Sequence, residues 1–424
     1  MRPKWYHILG LCTASTLIVL SCIVPWYCTY IITRELVGNY GAYWDISSYN
    51  SSHFVAVGIT GDDLGNLSSK SFGVVFFSSY DFKQYISWNW STYDNYTELR
   101  RACVIDIDGN EIPEIAITGR ARNDSGFLAE LDILFLNGSR ESFHWAKWND
   151  SCGLGIAAIG LHNETLIAIV SAHSNETCVI GEIRIFNSSL ESITSATWKY
   201  EDYTIPRDIA ITFIDNGIYL VVGGYTKINN VNFGDVEIFK LNLSDYTLSR
   251  HSNLTIGDGM NHYHIYGLYV VETKIYLAGA FYSDNLEFAC LWIVDLQSLK
   301  IMKEIKYDGA PSRFREVIVD STGNAVLTGY YGECAIIYDQ ENSKGVKNEK
   351  SIGISLIAIN GNILCAGAVS NDRLWIASWR KTSEYNVPLG VIMIAGGLSI
   401  ITCVVILNDQ KRLEKLFKQV RTAI

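Results

Sequence analysis

The chain has 424 residues, 48% hydrophobic and 18% charged, with a formal net charge of −10. That length admits one large β domain or two smaller ones, and the acidic balance makes nucleic acid a poor partner, because a polyphosphate attracts the opposite charge. Ten cysteines with no CxxC spacing give no support to a zinc frame.

In chain order, residues 1–7 carry Arg2 and Lys4, and residues 8–32, "ILGLCTASTLIVLSCIVPWYCTYII", carry no charge. A run of that length crosses roughly 30 Å of hydrocarbon as a helix. No A-x-A-like exit site follows, so the expectation is an uncleaved anchor rather than a cleaved signal. Residues 387–407 form a second uncharged run, followed by Lys411, Arg412, Lys415, Lys418 and Arg421 in the tail 408–424. Basic residues outside both runs place the two ends in the cytoplasm and everything between them outside the cell. Removing the +2 and +3 of the two ends from −10 leaves −15 on the exterior part.

The acceptor pattern N-x-[ST] occurs at Asn50, Asn66, Asn89, Asn95, Asn123, Asn137, Asn149, Asn163, Asn175, Asn187, Asn242 and Asn253. With 60 Ser plus Thr, chance would make about four of the 28 Asn into such sites, and 12 are present, all between the runs. N-glycosylation outside the cell accounts for this; a loop composition rich in Asn and Ser is the alternative. An oxidising compartment also permits disulfides among Cys103, Cys152, Cys178, Cys290, Cys334 and Cys365. Cys103 with Cys152, which bracket one repeat, is the preferred pair.

Residues 104–120 read "VIDIDGNEIPEIAITGR". Side-chain oxygens at Asp106, Asp108, Asn110 and Glu114, with the Ile112 carbonyl, have the alternate spacing with which a short loop wraps a hard cation, and calcium is the natural guest. Gly109 supplies the bend. An EF-hand is a poor fit, because its twelfth position needs a bidentate Glu and here holds Ile117.

From residue 36 to residue 384 one strand pattern recurs: "FVAVGIT", "EIAITGR", "LIAIVSA", "YLVVGGY", "YLAGAFY", "AVLTGYY" and "ILCAGAV". Taking Gly58, Gly119, Ser171, Gly223, Gly279, Gly329 and Gly367 as markers, the intervals are 61, 52, 52, 56, 50 and 38 residues, the length of a four-stranded blade. A second apolar strand follows each marker after a polar turn, and no long amphipathic helix interrupts the series.

"VIVDSTGNAVLTGYYG" (317–332) resembles the repeats of seven-bladed β-propellers of prokaryotic cell surfaces, which carry a D-x-x-G-N turn before a V-x-G strand. "DIDGNEIPEIAITG" is similar to the FG-GAP calcium loop of integrin-type propellers, with Glu114 where the Asp of that pattern stands. The resemblance implies an all-β fold, a seven-bladed β-propeller ectodomain over 36–384, flanked by two transmembrane α-helices, and a structural role for the calcium. An open propeller would leave pairing edges. The last repeat has room for three strands, so its fourth is expected from 36–46.

Among other candidates, His262 and His264 share a strand face at a spacing that suits a metal, but no third ligand is evident. No catalytic residue is identified: G-x-S-x-G and phosphate-binding glycine loops are missing. Trp88, Trp90, Trp145 and Trp148 cluster in two stretches and could stack on sugars or partner proteins, packing between blades being the alternative. In the tail, Leu413, Leu416, Phe417 and Val420 form one stripe beside basic residues, as in a helix lying on the inner membrane surface. The expected protein is a two-pass membrane protein displaying a glycosylated propeller, a recognition or scaffold module for membrane proteins, surface-layer components or glycans. The alternative is an exterior hydrolase or lyase acting on polysaccharide at the propeller channel. Dense sequons, few Gln and abundant Ile and Tyr point to an archaeal cell surface.

Overall fold

The computed structural model describes residues 26–385, apart from 62–69, 95, 163, 202, 216, 285, 308, 310, 311, 342, 360, 370 and 371. The expected spans at 8–25 and 387–407 and the tail 408–424 lie outside the described residues. Among the described residues no helix is long and apolar enough to cross a membrane. Contacts divide the chain into a compact unit, Tyr30–Arg380, and a second unit of Met1–Thr29 with Lys381–Ile424. Of the second unit only 26–29 and 381–385, strand in both cases, are described.

One boundary differs from the sequence reading. Residues 26–32, counted in the first apolar run, begin a 23-residue strand, Trp26–Ser48. Hydropathy alone does not separate the end of a span from a strand with one buried face, but here period 2 decides. Tyr30 and Ile32 face the core beside Trp375 and Trp379, whereas Ile31 is exposed.

Seven four-stranded antiparallel sheets surround a central channel, as in a β-propeller. Blades 2 (96–145), 3 (150–198), 4 (204–256) and 5 (262–306) each consist of four consecutive strands. Blade 1 takes 41–48 of the first strand as its inner strand and adds three more up to Trp90. Blades 6 and 7 share one 16-residue strand, Lys344–Ile359: its first half is the outer strand of blade 6 and its second half the inner strand of blade 7. No loop separates these two blades, which is why the last marker interval is only 38 residues.

Blade 7 is completed by the start of the chain. The first half of Trp26–Ser48 pairs with Arg373–Tyr385. Thr33 Oγ1 donates to the Ser378 carbonyl at 3.1 Å and Arg373 Nε donates to the Gly38 carbonyl at 3.1 Å. The expected closure therefore holds, with a corrected register: roughly 30–38 closes blade 7, and 41–48 already belongs to blade 1.

The core lies between blades, with one apolar cluster at each of the seven interfaces. At the closing interface Tyr43, Ile46 and Phe54 of blade 1 meet Leu364, Leu374 and Ile376 of blade 7. Each such side chain contributes about 1.5–3 kcal/mol when fully buried, so ring closure is itself a large apolar interface. The marker glycines have a geometric cause. A Cβ at Gly58, Gly119, Gly224, Gly279, Gly329 or Gly367 would stand within 2.2 Å of an inner-strand carbonyl oxygen. In blade 4 the crowded position is Gly224, one residue beyond the marker read from the sequence. Blade 3 has Ser171 there and carries its glycines, Gly153 and Gly155, on the inner strand instead.

Candidate binding site at the channel mouth

Each inner strand runs from what we term the upper face to the lower face, and each carries a β-bulge near its start. A bulge inserts one residue that has no ladder partner and re-aims its side chain. The seven inserted residues are Trp44, Arg100, Leu154, Arg207, Tyr266, Arg315 and Ile354. Together with Arg101 they line a recess of about 60 Å³ in the channel.

One residue further along each strand, Arg101 bridges the channel. Its guanidinium reaches Asp45 at 3.2 Å, Asp208 at 3.6 Å and Glu316, side chains from blades 1, 4 and 6. Asp45 also accepts the Ala102 N–H and the Ser355 hydroxyl, and Asp208 accepts the Ile209 and Leu268 N–H groups. Burial works against the Arg101 charge, but the three carboxylates hold it protonated well above the ordinary arginine value. Three acids share one base here. Burial, and then the charges of Asp208 and Asp45, push the Glu316 carboxyl up to about 8 against the pull of Arg101.

Above this plug the charge reverses. Arg100 pairs with Glu98 at 2.7 Å and lies 4.4 Å over the Trp44 ring. Arg207 donates to the Tyr225 hydroxyl at 3.2 Å, and the Arg207, Arg313 and Arg315 guanidinia all pack around the Tyr266 ring. Burial and the like charges of Arg313 and Arg207 bring Arg315 down to about 10. The same surroundings depress His264 to about 3, with burial the larger cause.

The structure places the sequence candidates as follows. Asp106, Asp108 and Glu114 come together in the lower-face turn of blade 2, with ligand atoms within 4.8 Å of one another. Asp106 accepts the N–H groups of Gly109, Asn110 and Glu111, and Asn110 Oδ1 accepts that of Ile112. The turn is thus closed by its own side chains. Burial, then the charges of Asp108 and Asp106, raise the Glu114 carboxyl.

His262 and His264 do share a face, but both turn toward Asn232: His262 Nδ1 accepts its N–H at 3.0 Å, and His264 Nε2 lies 2.8 Å from its Nδ2. The His264 ring stacks on Tyr225 at 4.2 Å, and its Nδ1 meets the Tyr266 hydroxyl at 2.9 Å. The pair is engaged by protein groups rather than poised for a metal.

Cys103 and Cys152 are free thiols. Counted from the bulges, Cys103 lies three residues below the mouth and Cys152 two residues above it. At ~3.3 Å per residue on parallel-running inner strands they are about 16 Å apart in height, beyond the reach of a disulfide. This corrects the expected pair.

Of the tryptophans, Trp145 is buried between blades and donates Nε1 to Glu182 at 3.0 Å, within a network in which His173 joins Ser151 and Glu182. Trp88 and Trp90 pack against the cluster between blades 1 and 2. Trp148 lines an open recess with Lys147, Cys178 and Lys199. The aromatic stretches are therefore mainly packing between blades.

Asn66, Asn95 and Asn163 lie outside the described residues. None of the other nine sequon asparagines is buried. In six of them, Asn50, Asn123, Asn137, Asn175, Asn187 and Asn242, Oδ1 accepts the N–H two residues on. The N-x-[ST] pattern thus also serves as a turn closure.

The channel mouth was not singled out in the sequence, although a signal exists. Arg100-Arg101, Arg207-Asp208 and Arg315-Glu316 each stand just before an apolar inner-strand run, and Trp44-Asp45 holds the same register in blade 1.

No protein-family model matches the chain, and no curated protein matches it in sequence. Among solved structures, virginiamycin B lyase from Staphylococcus aureus is similar with a TM-score of 0.50 and 12% identity, covering 83% of this chain and 99% of that one. Sqt1 from Chaetomium thermophilum, solved bound to the N-terminus of a ribosomal protein, is similar with a TM-score of 0.51 and 10% identity, covering 82% and 98%. At such identities the likeness shows the fold alone, and that fold is a β-propeller.

Proposed function

We propose that this protein is a membrane-anchored, glycosylated recognition propeller of the cell exterior, which binds another membrane or surface protein through blades 5 to 7. The observation that carries this reading is the placement of the sequons. All twelve fall between Asn50 and Asn253 in sequence, and the segment 262–385, which carries the strands of blades 5 to 7, has none although it holds seven asparagines. That bare flank also exposes Leu286, Ile301, Met302 and Tyr331. Glycans keep a surface apart from its neighbours; a protein contact needs a surface without them. For the anchor, residues 8–25 alone are 18 uncharged residues, enough for a span of about 17–25.

Lys344→Thr in blade 6 and Asn362→Thr in blade 7 each create a sequon, at Asn342 and Asn360. Glycosylation there, verified by a mass shift, is expected to remove the partner that copurifies from native membrane in mild detergent. Val231→Thr, which creates one at Asn229 in blade 4, is expected to leave that partner in place. Retention of the partner by both glycan-bearing blade 6 and blade 7 variants would overturn the reading.

Calcium, in this reading, pins the lower turn of blade 2 through Asp106, Asp108 and Glu114, with Asn110 and the Ile112 carbonyl beside them. The fit rests on three carboxylates whose spacing suits Ca–O distances of about 2.3–2.6 Å and whose mutual repulsion, registered in Glu114, a cation relieves. Calcium is expected to raise the unfolding temperature of the wild type and not of Asp106→Asn; equal shifts in both would remove the ion from the proposal.

One observation favours the enzymatic alternative: Glu316 is a carboxyl with a raised pKa inside the channel. Cleavage of polysaccharide by the wild type, lost in Glu316→Gln, would establish it.

A further inference from the structure

We infer that the recess at the channel mouth is an oxyanion site, which receives a single carboxylate, sulfate or phosphate group projecting from a ligand on the upper face. The inference goes beyond the reading of blades 5 to 7 as a protein contact, and it depends neither on membrane anchoring nor on glycosylation.

Arg100, Arg207 and Arg315 enter the recess from blades 2, 4 and 6, with Trp44, Leu154, Tyr266 and Ile354 between them. The Nε–H groups of all three arginines are buried without a hydrogen-bond partner. Among the described residues Arg207 and Arg315 have no carboxylate partner, whereas Arg101 holds three, Arg120 holds Glu98 and Arg313 holds Glu287. Among the described residues, the acids beside the recess are already engaged. Asp45, Asp208 and Glu316 are committed to Arg101 and to backbone N–H groups below, and Glu98 already serves Arg100 and Arg120.

Leaving buried donors unmade is costly. Guanidinium groups meet carboxylate and phosphate oxygens with a geometry that no neutral partner reproduces. The volume of about 60 Å³ corresponds to roughly two waters. It admits a head group and not a whole sugar or nucleotide. The carboxylates of the plug oppose an anion from below, and Arg101, which also borders the recess, stands between.

The test uses the full chain in mild detergent, without any partner. Unfolding temperature and calorimetric binding are measured with sodium sulfate, inorganic phosphate and sodium glucuronate, each against sodium chloride of equal ionic strength. At least one oxyanion is expected to give a saturable rise following one-site linkage. Binding of glucuronate alone would mark a sugar carboxylate as the source, and binding of sulfate or phosphate an inorganic or esterified group.

Arg207→Met with Arg315→Met is expected to weaken binding at least tenfold. Its ligand-free unfolding temperature should equal or exceed that of the wild type, because two like charges are gone. Arg207→Lys and Arg315→Lys, which keep the charge but lose the fork, should each weaken binding several-fold. Shifts no larger than those of chloride, or unchanged affinity in the methionine and lysine variants, would overturn the site.

Discussion

Replacing Arg101 by Met is expected to lower stability by about 3–5 kcal/mol at neutral pH, because it leaves Asp45, Asp208 and Glu316 buried around an apolar stem. The deficit should shrink on acidification: with the guanidinium gone, the folded state takes up protons more readily than the unfolded chain, and stability rises as pH falls. The wild type has a milder form of the same dependence. Glu316 titrates near 8 when folded and near 4.5 in an unperturbed chain. Its contribution is therefore fully present below about pH 4.5 and is lost as pH rises toward 8. At about 1.4 kcal/mol per unit this amounts to roughly 3–5 kcal/mol. Denaturation at pH 5 and pH 8 should show that slope in the wild type and a flatter one in Glu316→Gln. Equal slopes would mean that Glu316 is ionised throughout.

Joining the two ends of the ring should have the largest stabilising effect. The Thr33 and Ser378 hydroxyls are 3.4 Å apart on adjacent strands, and the two residues stand 345 positions apart in sequence. A disulfide in Thr33→Cys with Ser378→Cys would close a loop of that size, for which the chain-entropy account gives about 6 kcal/mol. The measurement is the unfolding midpoint, oxidised against reduced. An unchanged midpoint would show that strain at the seam offsets the whole entropic gain.

The architecture was largely legible because its signals are local. The unbroken apolar runs "LIAIVSA" and "YLVVGGY" are strands buried on both faces between neighbouring blades, and the recurrent glycine follows from a carbonyl pressed against it at Gly58, Gly119 or Gly329. Closure by the start of the chain was legible from the missing fourth strand, but its register was not, since Trp26–Ser48 serves two blades and its first half blends into an apolar run. The channel mouth was hidden for a different reason. A bulge shifts one strand by a residue without altering its composition, so Arg207 and Arg315 read as ordinary strand residues until seven bulges are aligned around one axis. His262 and His264 illustrate the limit of spacing: their shared face is real, while the partner that occupies them, Asn232, comes from the neighbouring blade. Cys103 and Cys152 are close in repeat order and far apart in height, a distinction absent from any linear pattern.

The antiparallel seam of blade 7 brings Tyr30 and Arg380 to the lower rim, away from the arginine-lined mouth. Pulled apart from each other, the two ends would peel this seam like a zipper, one hydrogen bond at a time, and the ring would open under a small load. Drawn together in one direction, they would share the load across the whole seam. An attachment that keeps the ends abreast therefore guards the seam that closes the ring.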